Sequence, residues 1–136
     1  MTVNFWAVLV SAIASMVIGS IWYGPLFGKK FMKAMEMDKM SAEKQAQMKK
    51  AMGMMYFAQF IASLVMFYVL ARFIGGSGVL SVHIGLMTAL WVWIGFVVPL
   101  KFGDSLWGGK MTLFWIGVSN MLVTLLVSGA IIGAWR

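Results

Sequence analysis

A chain of 136 residues that is 62% hydrophobic and only 11% charged cannot hide its apolar surface as a soluble domain would, so lipid must be its solvent. It has no Cys, which excludes disulfides, thiolate nucleophiles and Cys-ligated metals. Its net charge of +7 is gathered largely in one connection beside a span, which points to anionic lipid headgroups and away from nucleic acid.

The first apolar run covers about 3–23. No Lys or Arg precedes it and it continues past Ala12 and Ala14, so a cleaved leader is not expected. Ala7, Ser11, Ser15 and Gly19 recur every four positions, a small-residue face on which another helix backbone can pack closely. The run ends on IWYGPLFGKKF. This stretch reads as a membrane exit: Trp22 and Tyr23 at the interface, Pro25 stopping the helix, Gly28 permitting a turn.

A basic connection follows over about 25–50, with Lys29, Lys30, Lys33, Lys39, Lys44, Lys49 and Lys50. Lys29, Lys30, Lys33, Lys49 and Lys50 are the candidates for headgroup contact. Part of it, GKKFMKAMEMDKM, is a candidate for lying on the membrane surface. Met32, Met35, Met37 and Met40 make it methionine-rich; thioethers suit Cu(I), but Met is also a flexible filler, and no metal site is assigned. Ser41 followed by Ala42-Glu43 predicts a helix start with Ser at the N-cap. With no breaker following, one helix of about 50 Å should run from Ser41 to about Phe73, its first turns projecting from the bilayer. The second apolar run covers about 52–74 and carries Gln59.

The second connection, FIGGSGVLS, has no charge beyond Arg72 at its edge. The third run covers about 79–100. His83, the sole His, lies near its start and reads as an interfacial hydrogen-bonding residue. Trp93 lies deep enough to need an acceptor for its ring N–H. Pro99 and Gly103 should close this span as Pro25 and Gly28 close the first. In the connection KFGDSLWGGK, Asp104 and Ser105 read as turn or cap residues. The fourth run covers about 111–135. It places Thr112, Asn120, Thr124 and Ser128 on one broad face and Gly129 and Gly133 in a GxxxG pattern.

Each run has the length a helix needs to cross a bilayer core, and a spanning segment must pair its own backbone groups. The expected fold is therefore an all-α integral membrane four-helix bundle, a single transmembrane domain over 1–136. The first and third connections hold Lys29, Lys30, Lys33, Lys39, Lys44, Lys49, Lys50, Lys101 and Lys110, against Arg72 and Arg136 elsewhere. The positive-inside rule then places both termini outside, N-out and C-out. Trp22, Tyr23, Tyr56, Trp107 and Trp115 would form the inner aromatic belt, with Trp6 and Trp135 at the outer one. The two proline exits, after helices running the same way, suggest two hairpins related as a parallel pseudo-repeat.

The chain resembles the family catalogued as domain of unknown function 1761, small bacterial four-span membrane proteins. The resemblance is carried by NFWAVLVSAIAS, WYGPLFGKKF, GFVVPLKFGDSLWGG and GAIIGAW, and extends over essentially the full length. Its most specific piece is Trp22-Tyr23-x-Pro25-Leu26-Phe27-Gly28-Lys29, where the family pattern usually has Ser in place of Gly24. The resemblance implies a multi-pass protein of the bacterial inner membrane and names no activity or cofactor.

The residues support a non-enzymatic protein that self-associates, as a homodimer, or binds an unidentified membrane partner, with its basic loop facing anionic lipid. The alternative is a small channel or facilitator for a polar solute or ion. It would use a polar track of Ser15, Gln59, Asn120, Thr124 and Ser128 between the helices. Ser15, Gln59 and Asn120 hydrogen-bonded to one another would favour the scaffold, and a water-accessible cavity reaching Asn120 would favour transport. If there is a ligand site, the space between the two proline exits is a second place to look.

Overall fold

The structure, a computed structural model, describes residues 3–34, 41–76 and 81–135. Lys39, Met35, Met37, Met40 and Arg136 lie outside the described residues.

Among the described residues, six α-helical pieces follow in order: α1 (Phe5–Ile21), α2 (Gly28–Ala34), α3 (Ala42–Gly75), α4 (Val82–Val92), α5 (Val98–Gly108) and α6 (Met111–Ala134). Among the same residues, two wide π-helical turns, Trp22–Leu26 and Trp93–Val97, continue α1 and join α4 to α5. Four of the described stretches are long and apolar enough to cross a membrane: Phe5–Leu26, Ala42–Gly75, Val82–Gly108 and Met111–Ala134. The protein is an all-α, membrane-spanning helical bundle.

Side-chain caps set three of the six helix starts described. The Asn4 side chain accepts from the backbone N–H of Trp6 at 3.1 Å and Ala7 at 3.3 Å. Ser41 accepts from the Lys44 N–H at 3.3 Å, and Ser81 from the Ile84 N–H at 3.1 Å. Each such cap satisfies a donor left over at a helix start and contributes about 1 kcal/mol. α3 begins where Ser41 predicts and has 34 residues, or about 50 Å, against a bilayer core of about 30 Å. The turn before α6 closes on Gly109, whose φ of 71° is the left-handed conformation that Gly adopts without strain.

The prolines behave differently from each other. The first span ends at Leu26, with the backbone broken at Gly24 beside Pro25, as the sequence predicts, whereas Pro99 does not stop its helix. Pro25 sits inside the first π turn, beside the non-helical backbone of Gly24 (φ −109°, ψ −105°), and the chain re-enters a helix at Gly28. Pro99 lies in the first turn of α5, and the helix runs on through Lys101 and Gly103 to Gly108. Most of the expected third connection is therefore helix. The reason lies in the hydrogen-bond shift. The Phe27 N–H returns to the Trp22 carbonyl at 2.9 Å, and the Val98 N–H returns to the Trp93 carbonyl, each spanning five residues. A wide turn makes room for a proline ring that a regular turn would exclude, and Pro at a helix start has no N–H bond to lose.

The bundle is packed unevenly from end to end. The terminal end carries the second connection and the start of α1. There Ala7, Val8 and Ala12 of α1, Phe67, Leu70 and Ile74 of α3, Ala89 of α4, and Leu125 and Ile132 of α6 form one buried core. α4 and α6 cross there backbone to backbone. A Cβ on Gly85 would overlap the Gly129 carbonyl, one on Gly129 the Gly85 carbonyl, and one on Gly133 the Ser81 carbonyl. Gly129 and Gly133 thus meet α4 of their own chain. Half of the most apolar window of α6 is buried, against 11% for the third span, so α6 is the element the others pack around. At the opposite end, which bears the lysine-rich connection, the helices stand apart.

Candidate polar binding cavity

The space between the helices at the lysine end is a cavity of about 510 Å³. α1 and its π turn contribute Ser15, Met16, Gly19, Ser20, Tyr23 and Gly24. α3 adds Tyr56, Gln59, Ser63, Met66 and Phe67, α5 adds Lys101, and α6 adds Gly117, Asn120, Met121 and Thr124. Of the expected polar track, Ser15, Gln59, Asn120 and Thr124 all line this one space. Ser128 does not line it; it lies one turn further along α6, toward the terminal end.

The polar atoms here are unevenly satisfied. The Ser15 hydroxyl donates to the Ala12 carbonyl at 2.7 Å, and the Ser63 hydroxyl to the Gln59 carbonyl at 2.9 Å, so both close on their own helices. The Asn120 side chain pairs with the Tyr23 phenol, while its Oδ1 has no partner among the described residues. Thr124 is only 4% exposed and its hydroxyl has no partner there either. Ser11 and Ser128, buried at 0% and 1% exposure, carry two more unpartnered hydroxyls. A buried polar atom left without a partner costs about 1–3 kcal/mol, and such groups mark places where water, an ion or a ligand is held.

The expected network of Ser15, Gln59 and Asn120 bonded to one another is not formed. Ser15 is committed to Ala12, and Asn120 Oδ1 is unpartnered. The physical reason is the splay of α1, α3 and α6 at this end, which puts a space where the network would need contact.

Among the described residues, Lys101 is the one charged residue of the lining, and no acidic residue joins it there. Its stem lies against Gly117 of α6: the position a Gly117 Cβ would take is 3.7 Å from Lys101 Cδ and 3.8 Å from its Nζ. The π turn directs it there. One extra residue in a turn rotates everything after it by about 100°, so a side chain beyond Trp93–Val97 presents a different face from the one straight helical spacing predicts.

The two π turns dock on neighbouring residues of α6. The Trp22 ring N–H donates to the Ser119 hydroxyl at 3.1 Å, and the Trp93 ring N–H to the Val118 carbonyl at 2.8 Å. Trp93 therefore has the acceptor it needs, and the Trp22 N–H points into the bundle. Tyr23 also stacks edge-on against Phe31, with ring centroids 4.8 Å apart. Gly28 is buried, and a Cβ there would meet the Tyr23 carbonyl at 2.9 Å. Both proline exits border the cavity, through Tyr23 and Gly24 on one side and Lys101 on the other.

The remaining expected residues fall elsewhere. Ala7 and Ser11 are buried in the core end, whereas Gly19 faces the open cavity, and a methyl added to it would meet nothing within 4 Å. Lys29, Lys30, Lys33, Lys49 and Lys50 are exposed, as are Pro99 and His83. Tyr56 and Lys101 were expected only as a belt aromatic and a loop cation, and nothing in the sequence marked Ser63, Met16, Met66 or Met121 as lining residues. Spacing within one helix cannot reveal which residues of another face it.

No curated protein and no solved structure matches the chain. Residues 6–133 match the family described as "Protein of unknown function (DUF1761)". The chain therefore belongs to the DUF1761 family of small multi-pass membrane proteins, consistent with a place in the bacterial inner membrane.

Proposed function

We propose that this protein is a non-enzymatic binding protein or facilitator that admits a small polar solute into its bundle from the lysine end. One observation carries the reading. A cavity of about 510 Å³ between the spans is lined by Asn120 and Thr124, whose buried Oδ1 and hydroxyl have no partner among the described residues. Polar groups are costly at that depth and are kept where they meet a polar occupant. Self-association is the weaker reading, because Gly129 and Gly133 already meet α4 of the same chain. With N-out, C-out insertion, the cavity opens to the cytoplasm, and the exposed lysines of the first connection rest on anionic headgroups. The shared Trp-x-Gly beginnings of the two π turns support a parallel two-hairpin relationship.

The chain has no Cys, so single cysteines can report on the cavity without background. In proteoliposomes, Ser15→Cys and Thr124→Cys should react with a membrane-impermeant thiol reagent applied on the lysine side. Leu125→Cys, in the packed core, should not. Inert cysteines at both cavity positions would overturn the proposal. Reaction only from the opposite side would reverse the assigned orientation.

A further inference from the structure

The cavity's chemistry narrows its occupant. Among the described residues its lining contains one amine, Lys101, and no carboxylate. The Lys101 stem lies along Gly117 of α6, so the amine belongs to the wall of the cavity as well as to solvent. Lys101 is exposed, so its ammonium is hydrated, but with no carboxylate in the lining to offset it the cavity mouth carries a net positive charge that attracts an anion. Tyr23 and Tyr56 add phenols to the same lining.

The other requirement comes from Asn120. Its unpartnered Oδ1 is an acceptor, and only a donor can satisfy it. The Thr124 hydroxyl, more than nine-tenths buried and unpartnered, can accept or donate beside it. A halide offers no donor to Asn120 Oδ1, and a simple alcohol offers Lys101 an acceptor but no countercharge. Met16, Met66, Met121 and Phe67 line the rest, which suits a short carbon skeleton between the two polar ends.

Resting on the polar-solute reading of this same cavity, we propose that its occupant is a small hydroxylated organic anion. A carboxylate or phosphate pairs with Lys101, and a hydroxyl or N–H reaches Asn120 and Thr124. Two sources share that chemistry: a free solute such as a glycerol phosphate, and the glycerol-phosphate headgroup of a lipid.

Ser15→Cys is a suitable reporter, because the Ser15 hydroxyl is held by its own helix. In neutral phosphatidylcholine vesicles it should react about tenfold faster with an anionic methanethiosulfonate than with a cationic one of similar size. Adding Lys101→Gln should bring that ratio close to one, and Lys101→Arg should keep it. Glycerol 3-phosphate should slow labelling by the cationic reagent when the free solute is the ligand. Vesicles containing phosphatidylglycerol should slow it when the headgroup is, and Lys101→Gln should abolish either protection. Labelling with no charge preference, or a preference and protection that survive Lys101→Gln, would overturn the anion while leaving a polar cavity in place. Failure of both Ser15→Cys and Thr124→Cys to react with either reagent would overturn the polar-solute reading and this inference with it.

Discussion

The two ends of the bundle use the same residue, glycine, with opposite results. At the terminal end, Gly85, Gly129 and Gly133 bring α4 and α6 so close that no Cβ fits between them. At the lysine end, Gly19 faces open space and Gly117 is met by the flexible stem of Lys101. Small residues permit close approach but do not produce it. In lipid, with no hydrophobic force between helices, closure needs a matching small surface on the facing helix. Gly85 supplies that match for Gly129 and Gly133. Around Gly19 the facing groups are methionines, amides and a phenol, and the helices remain apart.

The comparison breaks most severely at the glycine seam. Gly129→Val should destabilise the fold by on the order of 3 kcal/mol or more, because the new atoms meet backbone that cannot move aside. The midpoint of unfolding in a denaturing-detergent titration should fall sharply; a near-native midpoint would show that the seam is not closed. Trp93→Phe should cost about 1 kcal/mol, the loss of its bond to the Val118 carbonyl across the π turn. Thr124→Val tests the open end and carries the opposite sign. It removes an unpartnered hydroxyl at nearly constant shape, so stability should be unchanged or rise by up to about 1 kcal/mol. A loss above about 1 kcal/mol in the same titration would mean that the hydroxyl has a partner in the membrane. Gly19→Ala should have the smallest effect, within about 0.5 kcal/mol, since the added methyl meets nothing.

The apolar runs, the Ser41 start of α3 and the polar face of α6 were legible because each depends on one segment and its solvent. Ser15, Gln59, Asn120 and Thr124 could be grouped from their depth alone, as polar residues in apolar runs. What they do to one another could not be read that way. The expected bonds among them depend on helix separation, and separation depends on residues facing them from other helices. Gly85 illustrates the same limit: its role exists only in relation to Gly129 and Gly133. Pro99 misled for a different reason. Both prolines carry the usual signal of a helix end, and the backbone does break at Gly24 beside Pro25, but Pro99 falls at the start of a new helix after the wide turn that begins at Trp93. That turn also resets the helical phase, which is why Lys101 belongs to the cavity wall although its position suggested a connecting loop.

The packed core of the terminal end has a consequence for exchange between compartments. Phe67, Leu70, Leu125 and Ile132 close that end of the bundle, so on the proposed reading the cavity exchanges with one aqueous phase only. A blind chamber fills according to the concentration on its open side and ignores the other. On that reading, the protein in this conformation samples one compartment. It becomes a conduit only if the core and its glycine seam part, which sets the stability of that seam as the threshold for passage.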